Sequence, residues 1–246
     1  MTTLLDAVAQ VREAQGKTKK PLSIVLAGHN GSGKSTMWES DLSGVLEMPL
    51  INADRLMRSI LPDVGQGGFL PKWADDLQNT DPGWLRVAQQ GVQSFVAHAI
   101  AAKRPFAMET VFSEERPLED GRVASKIDLI AEMQAQGYFV LLIFVGLTSA
   151  ELSVARVATR VSTGGHGIPE DRLKDRFPRT QRMIRQAALV ADATIMTDNS
   201  RDLSKAFTVT RVQLREKQLY DMRAGATTVP SIITTWLDVV APGWSA

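Results

Sequence analysis

The amino-acid sequence predicts an α/β fold in three layers, with a central parallel sheet of about five strands and helices on both faces. Apolar segments of strand length alternate with longer segments of helical periodicity, a pattern typical of parallel strands joined by crossover helices. One apolar segment also runs directly into a glycine-rich turn followed by a helix. The predicted strands are residues 23–27, 50–53, 106–112, 138–145 and 193–197, and the predicted helices are 3–15, 34–46, 84–103, 117–136, 149–162, 170–190 and 201–222.

Composition limits the classes of protein to which the chain can belong. It has 246 residues, of which 44% are hydrophobic, and this suits one domain over residues 1–246. We expect a core at about 20–200 and a C-terminal helical extension at about 201–246. The formal net charge of +1 favours neither nucleic acid nor a membrane surface as a partner. Without cysteine, a secretory signal or a long apolar run, a cytoplasmic protein without thiolate metal sites is expected.

The first predicted strand leads into a glycine-rich loop with the spacing G-x-x-x-x-G-K-S. Between a strand and a helix, this pattern predicts backbone N–H groups that converge on the phosphates of a nucleoside triphosphate. The Lys34 ammonium is expected at the β- and γ-phosphates of ATP, and the Ser35 hydroxyl is the expected ligand of Mg²⁺. The predicted nucleotide-binding residues are Gly28, His29, Asn30, Gly31, Ser32, Gly33, Lys34, Ser35 and Thr36.

Asp54 follows the second predicted strand, at the sheet edge where ligands of parallel sheets bind. A phosphotransferase needs a carboxylate that accepts the proton of the attacking hydroxyl, and Asp54 is the candidate. The alternative is that Asp54 only caps the helix that follows it, which is a frequent role of aspartate.

Glu109 lies inside the apolar third strand. A carboxylate is costly to bury unless it is paired or hydrogen-bonded. Glu109 is therefore either half of a structural ion pair or a group that faces a ligand, and the lack of a basic neighbour in sequence favours the ligand. Thr110 and Ser113, at the end of the same strand, are candidate hydroxyl contacts to a substrate.

Arginines are concentrated on two predicted helices that are joined by a glycine-rich loop at 162–169. This arrangement indicates a lid that closes over a transferring phosphoryl group. The alternative is a solvated basic face, which we expect to describe at least half of these arginines, because one phosphoryl group needs only two or three. The candidate catalytic arginines are Arg156 and Arg160, and the candidate substrate contacts are His166, Arg176 and Arg179.

Two further segments give weaker signals. Asn199 follows the fifth predicted strand and is a candidate contact to the adenine base, although an Asp-Asn pair suits a turn equally well. Residues 62–83 contain many glycines and prolines together with Trp73, and we expect an irregular loop on the side of the acceptor.

In their order along the chain, these motifs resemble the zeta-toxin family of P-loop kinases. The resemblance implies a P-loop kinase-like sandwich with a helical lid, in which the γ-phosphate of ATP moves to a hydroxyl of a nucleotide sugar such as UDP-N-acetylglucosamine. It also implies that Asp54 is the general base, that Glu109 binds the acceptor and that Arg156 or Arg160 contacts phosphate. A separate antitoxin protein is the implied partner. The segments that carry the resemblance are residues 27–36, 51–56, 108–113, 138–145, 156–169, 176–179 and 198–200.

Two other functions remain open at this level. The acceptor could be another small molecule, such as a nucleoside, a sugar or an antibiotic. A nucleotide-dependent ATPase or switch that acts on a protein is a further alternative, although the chain lacks the Asn-Lys-x-Asp motif of GTPases and has Glu109 where motor proteins carry an aspartate after an apolar run.

Overall fold

The structure is a computed structural model and describes residues 2–63, 70–113, 115–117, 123–162, 167–225 and 228–243. Among these residues the five predicted strands form, two short strands lie between the third and the fourth of them, and two more follow the fifth. In chain order they are β1 (Leu22–Gly28), β2 (Leu50–Ile51), β3 (Phe106–Thr110), β4 (Glu115–Pro117), β5 (Val123–Ser125), β6 (Phe139–Gly146), β7 (Ala193–Asp198), β8 (Thr208–Leu214) and β9 (Lys217–Asp221).

The helices cover both faces of the central sheet. A π-helical turn at Trp38–Leu42 joins the second helix to the third. In chain order the helices are α1 (Leu4–Thr18), α2 (Lys34–Met37), α3 (Ser43–Leu46), α4 (Ala53–Ser59), α5 (Lys72–Thr80), α6 (Pro82–Ala101), α7 (Lys126–Ala135), α8 (Ala150–Ser162), α9 (Glu170–Val190) and α10 (Ser231–Val240). Among the described residues, no helix is long and apolar enough to cross a membrane.

The central sheet has seven strands in the order β2-β3-β1-β6-β7-β8-β9. The first five strands in this order are parallel, as predicted, and β8 and β9 extend the sheet in antiparallel pairing. Because β1 lies between β3 and β6, Leu26 pairs with Glu109 on one side and Gly28 with Val145 on the other. The carboxyl ends of five strands therefore meet at one edge, beside the glycine-rich loop.

The sheet separates two hydrophobic cores. Val25 and Phe144 point into one, with side chains from α6, α7, α9 and α10, and Ile24 points into the other, with α1 and Trp38. Helix α10 packs tightly on the sheet. The ring of Trp236 occupies the space that a Cβ atom on Gly146 would need. Within the extension predicted at about 201–246, an α-helix forms only at Ser231–Val240 among the described residues, and only glycine fits at its contact with β6.

The predicted helix at 201–222 is wrong. Strands β8 and β9 form there, and the antiparallel hairpin buries a charged network in place of a helical face. Arg211 is 1% exposed and donates from Nη1 to Oδ2 of Asp221 over 2.6 Å, and Arg223 binds the same carboxylate. Buried polar residues made the segment resemble a solvated helix, although its β-branched residues favour a strand.

Two other boundaries also differ from the prediction. Residues 72–83 are largely helical. Pro71 directly precedes α5 and Pro82 is the first residue of α6, and at such positions proline starts a helix rather than breaking one. Helix α7 begins at Lys126 and not at 117, because β4 and β5 first form a small antiparallel sheet. Residues 64–69 and 118–122 lie outside the described residues.

Candidate active site

The glycine-rich loop joins β1 to α2 at the carboxyl edge of the sheet. Gly33 caps α2 with φ 92°, a left-handed conformation that favours glycine, and its added Cβ would lie 2.8 Å from Nδ2 of Asn199. The Lys34 ammonium donates to the carbonyl oxygens of Gly28 (3.2 Å) and His29 (3.0 Å). The lysine side chain therefore folds back over its own loop, where the ammonium of a phosphate-binding loop is expected.

Burial lowers the pKa of Lys34, and nearby charges modify this effect. The carboxylates of Glu109 and Asp54 raise the pKa, whereas the positive charge of Arg160 lowers it further. Charges from three other segments thus act on the Lys34 ammonium at the loop. The part of the site that the sequence predicts from α4, β3 and α8 is brought together around Lys34.

Glu109 contacts three residues of the site. Its Oε2 accepts hydrogen bonds from the Ser35 hydroxyl (3.0 Å) and from Nδ2 of Asn52 (2.6 Å), and its Oε1 lies 3.8 Å from the Lys34 ammonium. The two alternatives for Glu109 are a structural ion pair and a group that faces a ligand. The carboxylate does have a cationic neighbour, but that neighbour is the lysine of the phosphate loop. Glu109 therefore lies at the end of the site where the donor phosphates and the metal are expected. The resemblance instead implies that Glu109 binds the acceptor, and that role stays a prediction.

Asp54 is the second residue of α4 and not its cap. Asn52 is the N-cap, since its Oδ1 accepts from the backbone N–H groups of Asp54 (2.7 Å) and Arg55 (3.2 Å). The capping alternative for Asp54 is therefore wrong, and its side chain is exposed. Arg55 binds Glu39 over 2.9 Å, so α4 is also attached to the segment after the loop.

Three further contacts hold the glycine-rich loop. Ser153 on α8 donates to the carbonyl of Asn30 over 2.7 Å, and Nδ2 of Asn199 donates to the carbonyl of Ser32 over 2.8 Å. The ring of His29 stacks on Phe177 of α9, with 4.1 Å between centroids and 16° between planes. The loop is therefore attached to both helices of the predicted lid, and Asn199, the residue after β7, supports the loop through its hydrogen bond to Ser32.

Burial lowers the pKa of His29 to about 3, and the positive charge of Lys34 contributes to the shift. The imidazole is 3% exposed, and its Nε2 has no hydrogen-bond partner among the described residues. His29 is therefore neutral near pH 7 and acts as an apolar ring that packs between Phe177 and Phe144.

The predicted lid arginines differ in their positions. Arg156 lies against the loop, since its Cβ would be 3.0 Å from a Cβ on Gly31, and Arg160 acts on the charge of Lys34. Arg179 pairs with Asp175 on its own helix, and Arg176 is half-buried. The candidate His166 lies outside the described residues.

The remaining candidates lie at the edges of the site. Oγ1 of Thr110 accepts from the backbone N–H of Phe112 over 3.3 Å, in a turn where Phe112 has φ 63°. Ser113 is buried, and Thr36 is exposed in α2. A positive φ at a non-glycine residue stores local strain, which is common beside functional sites.

Sequence reasoning missed Asn52, Ser153 and Phe177. Asn52 stands two residues before Asp54 and could have been recognised as a helix cap. Ser153 and Phe177 carry no local signal, because their partners lie more than a hundred residues away in the chain.

A family model described as "Zeta toxin" matches residues 5–222. The chain belongs to the zeta toxin family. An uncharacterized protein of Haemophilus influenzae is 29% identical to this zeta toxin family protein over 155 residues, which cover 63% of this chain and 91% of that protein.

Solved structures share the fold of the zeta toxin family protein. One, from the PezAT chromosomal toxin-antitoxin system of Streptococcus pneumoniae, has a TM-score of 0.52 and 14% identity, and the alignment covers 97% of this chain and 87% of that one. Another, AvrRxo1-ORF1:-ORF2 with ATP, has a TM-score of 0.57 and 11% identity and covers 97% of this chain and 69% of that one. The fold is that of a P-loop kinase, and the family indicates a nucleotide-dependent phosphotransferase.

Proposed function

We propose that this protein transfers the γ-phosphate of ATP to a hydroxyl group of a small molecule, and that the acceptor is a nucleotide sugar such as UDP-N-acetylglucosamine. One observation carries the proposal: the Lys34 ammonium lies 3.8 Å from Glu109 Oε1, and the charges of Asp54 and Arg160 also act on it. A phosphate cradle, a carboxylate that can hold a metal, a base and a cation around one ammonium are the groups that phosphoryl transfer requires.

The donor end is formed by the loop and by Glu109. The loop amides, the N-terminus of α2 and Lys34 bind the donor phosphates. Ser35 Oγ and Glu109 Oε2 lie 3.0 Å apart, and Mg²⁺ prefers oxygen ligands from a few protein groups and the substrate phosphates, so these two side chains fit the metal. Bound there, Mg²⁺ would neutralise charge on the β- and γ-phosphates.

The acceptor end is formed by Asp54 at the start of α4. Its carboxylate is exposed, so an incoming hydroxyl can reach it, and it is close enough to Lys34 to shift that pKa. We infer that Asp54 accepts the hydroxyl proton as the oxygen attacks the γ-phosphorus in line with the leaving ADP. Thr110, Ser113 and Arg176 are proposed walls of the acceptor pocket.

Arg156 and Arg160 on α8 are the proposed cations for the charge that develops on the transferred phosphoryl group. The hydrogen bond from Ser153 to the loop holds α8 beside the proposed phosphate site. It therefore fixes the backbone positions from which the two arginine side chains extend. Arg179 contributes less, since it already pairs with Asp175.

A separate antitoxin is the proposed protein partner, and the cytoplasm, where ATP and nucleotide sugars occur, is the proposed compartment. The antitoxin proposal draws on the solved relative from a toxin-antitoxin system of Streptococcus pneumoniae.

The test is direct phosphorylation. The purified protein is incubated with ATP, Mg²⁺ and UDP-N-acetylglucosamine, and in parallel with nucleosides, sugars and a metabolite extract, and mass spectrometry identifies which compound gains a phosphoryl group. We expect a phosphorylated nucleotide sugar with the wild type and none with Lys34→Ala. Phosphorylation of a different compound would reassign the acceptor. ATP hydrolysis that no hydroxyl compound changes would favour a nucleotide-dependent switch instead.

A further inference from the structure

We propose that Asn52 is a positioning residue that fixes the Asp54 end of α4 relative to the Glu109 carboxylate. The inference rests on the proposed function, because it assigns Asn52 to the alignment of the acceptor base with the donor phosphates. Asn52 itself touches neither reactant.

The oxygen and the nitrogen of the Asn52 amide bind different groups. Its Oδ1 accepts from the N–H groups of Asp54 and Arg55, and its Nδ2 donates to Oε2 of Glu109 over 2.6 Å. The orientation of the amide is unambiguous, because a flipped group would set N–H against N–H and oxygen against a carboxylate. A carboxamide supplies both an acceptor and a donor here, whereas aspartate or serine supplies the cap alone.

The contact crosses three adjacent strands of the sheet. Asn52 follows β2, Glu109 is the last residue but one of β3, and Ser35 lies in the helix that comes after β1 and its loop. The spatial order of these strands is β2-β3-β1. Glu109 Oε2 takes one hydrogen bond from each side, which determines how its other oxygen faces Lys34 at 3.8 Å. A hydrogen bond to a charged group at 2.6 Å is of the strong kind, so this bridge holds the carboxylate firmly.

Loss of the Asn52 donor has a specific consequence. Glu109 would be free to turn toward Lys34 and to form a closer ion pair, and that pair would compete with the phosphates for the ammonium. The metal-binding oxygen would also leave its place beside Ser35. Both effects weaken the donor end while α4 stays folded.

Two matched variants separate alignment from stability. Asn52→Ser keeps a good helix cap but cannot reach Glu109, whereas Thr3→Ala removes a comparable cap from α1, whose Thr3 side chain accepts from the N–H of Asp6. We expect Asn52→Ser to lower the unfolding midpoint no more than Thr3→Ala does and to lower kcat about 10–100-fold, as losing a partner of a metal-binding group does. Thr3→Ala should lower the midpoint and leave kcat unchanged.

A binding measurement supplies a readout that does not depend on turnover. Calorimetry gives the affinity for ADP with and without Mg²⁺, and we expect Asn52→Ser to reduce the gain from Mg²⁺ about 10-fold, with Thr3→Ala like the wild type. An Asn52→Ser protein with the kcat of the wild type and with the same gain in ADP affinity from Mg²⁺ would overturn the proposal.

A double-mutant cycle tests whether Asn52 acts through Glu109. If it does, Asn52→Ser/Glu109→Gln is no slower than Glu109→Gln alone, whereas losses that multiply would show an independent role and overturn the proposal. Should the wild type phosphorylate no acceptor, the proposed function fails, but the calorimetric comparison still decides the link between Asn52 and Glu109.

Discussion

The Ser35 hydroxyl donates a hydrogen bond of 3.0 Å to Oε2 of Glu109, a residue that lies 74 positions later in the chain. The bond exists because β3 is the neighbour of β1 in a parallel sheet, so both strands end at the same edge. Lys34 lies 3.8 Å from the same carboxylate. Sheet topology thus brings residues of two distant segments together at the proposed phosphate and metal site.

Asp54→Asn should reduce kcat by ~10²–10⁴-fold, since the amide cannot accept the proton of the attacking hydroxyl. Initial rates of acceptor phosphorylation measure the loss. The matched control is Asp238→Asn, which removes an exposed carboxylate on α10 and should keep the rate of the wild type. Full turnover in Asp54→Asn would assign the base elsewhere.

Arg160→Ala should lower kcat by ~10³-fold if Arg160 is the principal cation at the transferring group, because neutralisation of that charge is worth most in the transition state. Arg156→Ala, made in parallel, identifies which of the two carries the larger share. Arg182→Ala changes an exposed arginine on α9 and serves as the control. Equal small losses in all three variants would support the solvated basic face instead.

His29 should make the protein less stable as pH falls below neutrality. An unfolded histidine takes up a proton below its usual pKa of 6.5, whereas the folded pKa is lowered to about 3, so between these values the unfolded state binds more protons. The free energy of unfolding then falls with decreasing pH across this window, by at most ~1.4 kcal/mol per pH unit.

Urea unfolding at a series of pH values between 7 and 5 measures this slope. His29→Gln should flatten it, and His98→Gln, at an exposed histidine on α6, should not. A slope that is equal in all three proteins would show that the stacked imidazole takes up its proton in the folded state.

The hairpin of β8 and β9 offers a comparison of two ion pairs within one network. Arg211→Ala should cost about 1.5–3 kcal/mol, because it removes a charged hydrogen bond to buried Asp221, which keeps its second pair with Arg223. Asp238→Asn should cost less than about 1 kcal/mol, since its pair with Arg223 lies at the surface. Denaturant unfolding measures both, and similar costs would contradict the burial of the network.

Much of the fold could be predicted from local pattern. The phosphate loop and the five parallel strands have apolar runs and glycine spacing that are visible in sequence, and the fold neighbours confirm this prediction. The hairpin could not be predicted in the same way. Its stability comes from Arg211 and Asp221 meeting in the interior, and residues of this kind look like surface residues until their partners are known.

The candidate site was predictable to a similar extent. The loop spacing predicts Lys34, and the position after a strand predicts Asp54. The charge inside an apolar strand predicts Glu109, the concentration of arginines predicts Arg160, and the structure brings the four residues together. Their individual roles stay predictions. The contacts of Asn52 and Asn199 were out of reach, since an amide that braces a backbone has the same local sequence as an ordinary cap or turn.

The most direct test of the central proposal is a mass-spectrometric search for the phosphorylated product of the wild type and of Asp54→Asn, with ATP, Mg²⁺ and UDP-N-acetylglucosamine supplied together. We predict that the wild type converts the nucleotide sugar to a species with one added phosphoryl group and that Asp54→Asn does so at a small fraction of that rate. ADP and inorganic phosphate as the sole products, formed equally by both proteins in every acceptor mixture, would contradict a kinase whose base is Asp54.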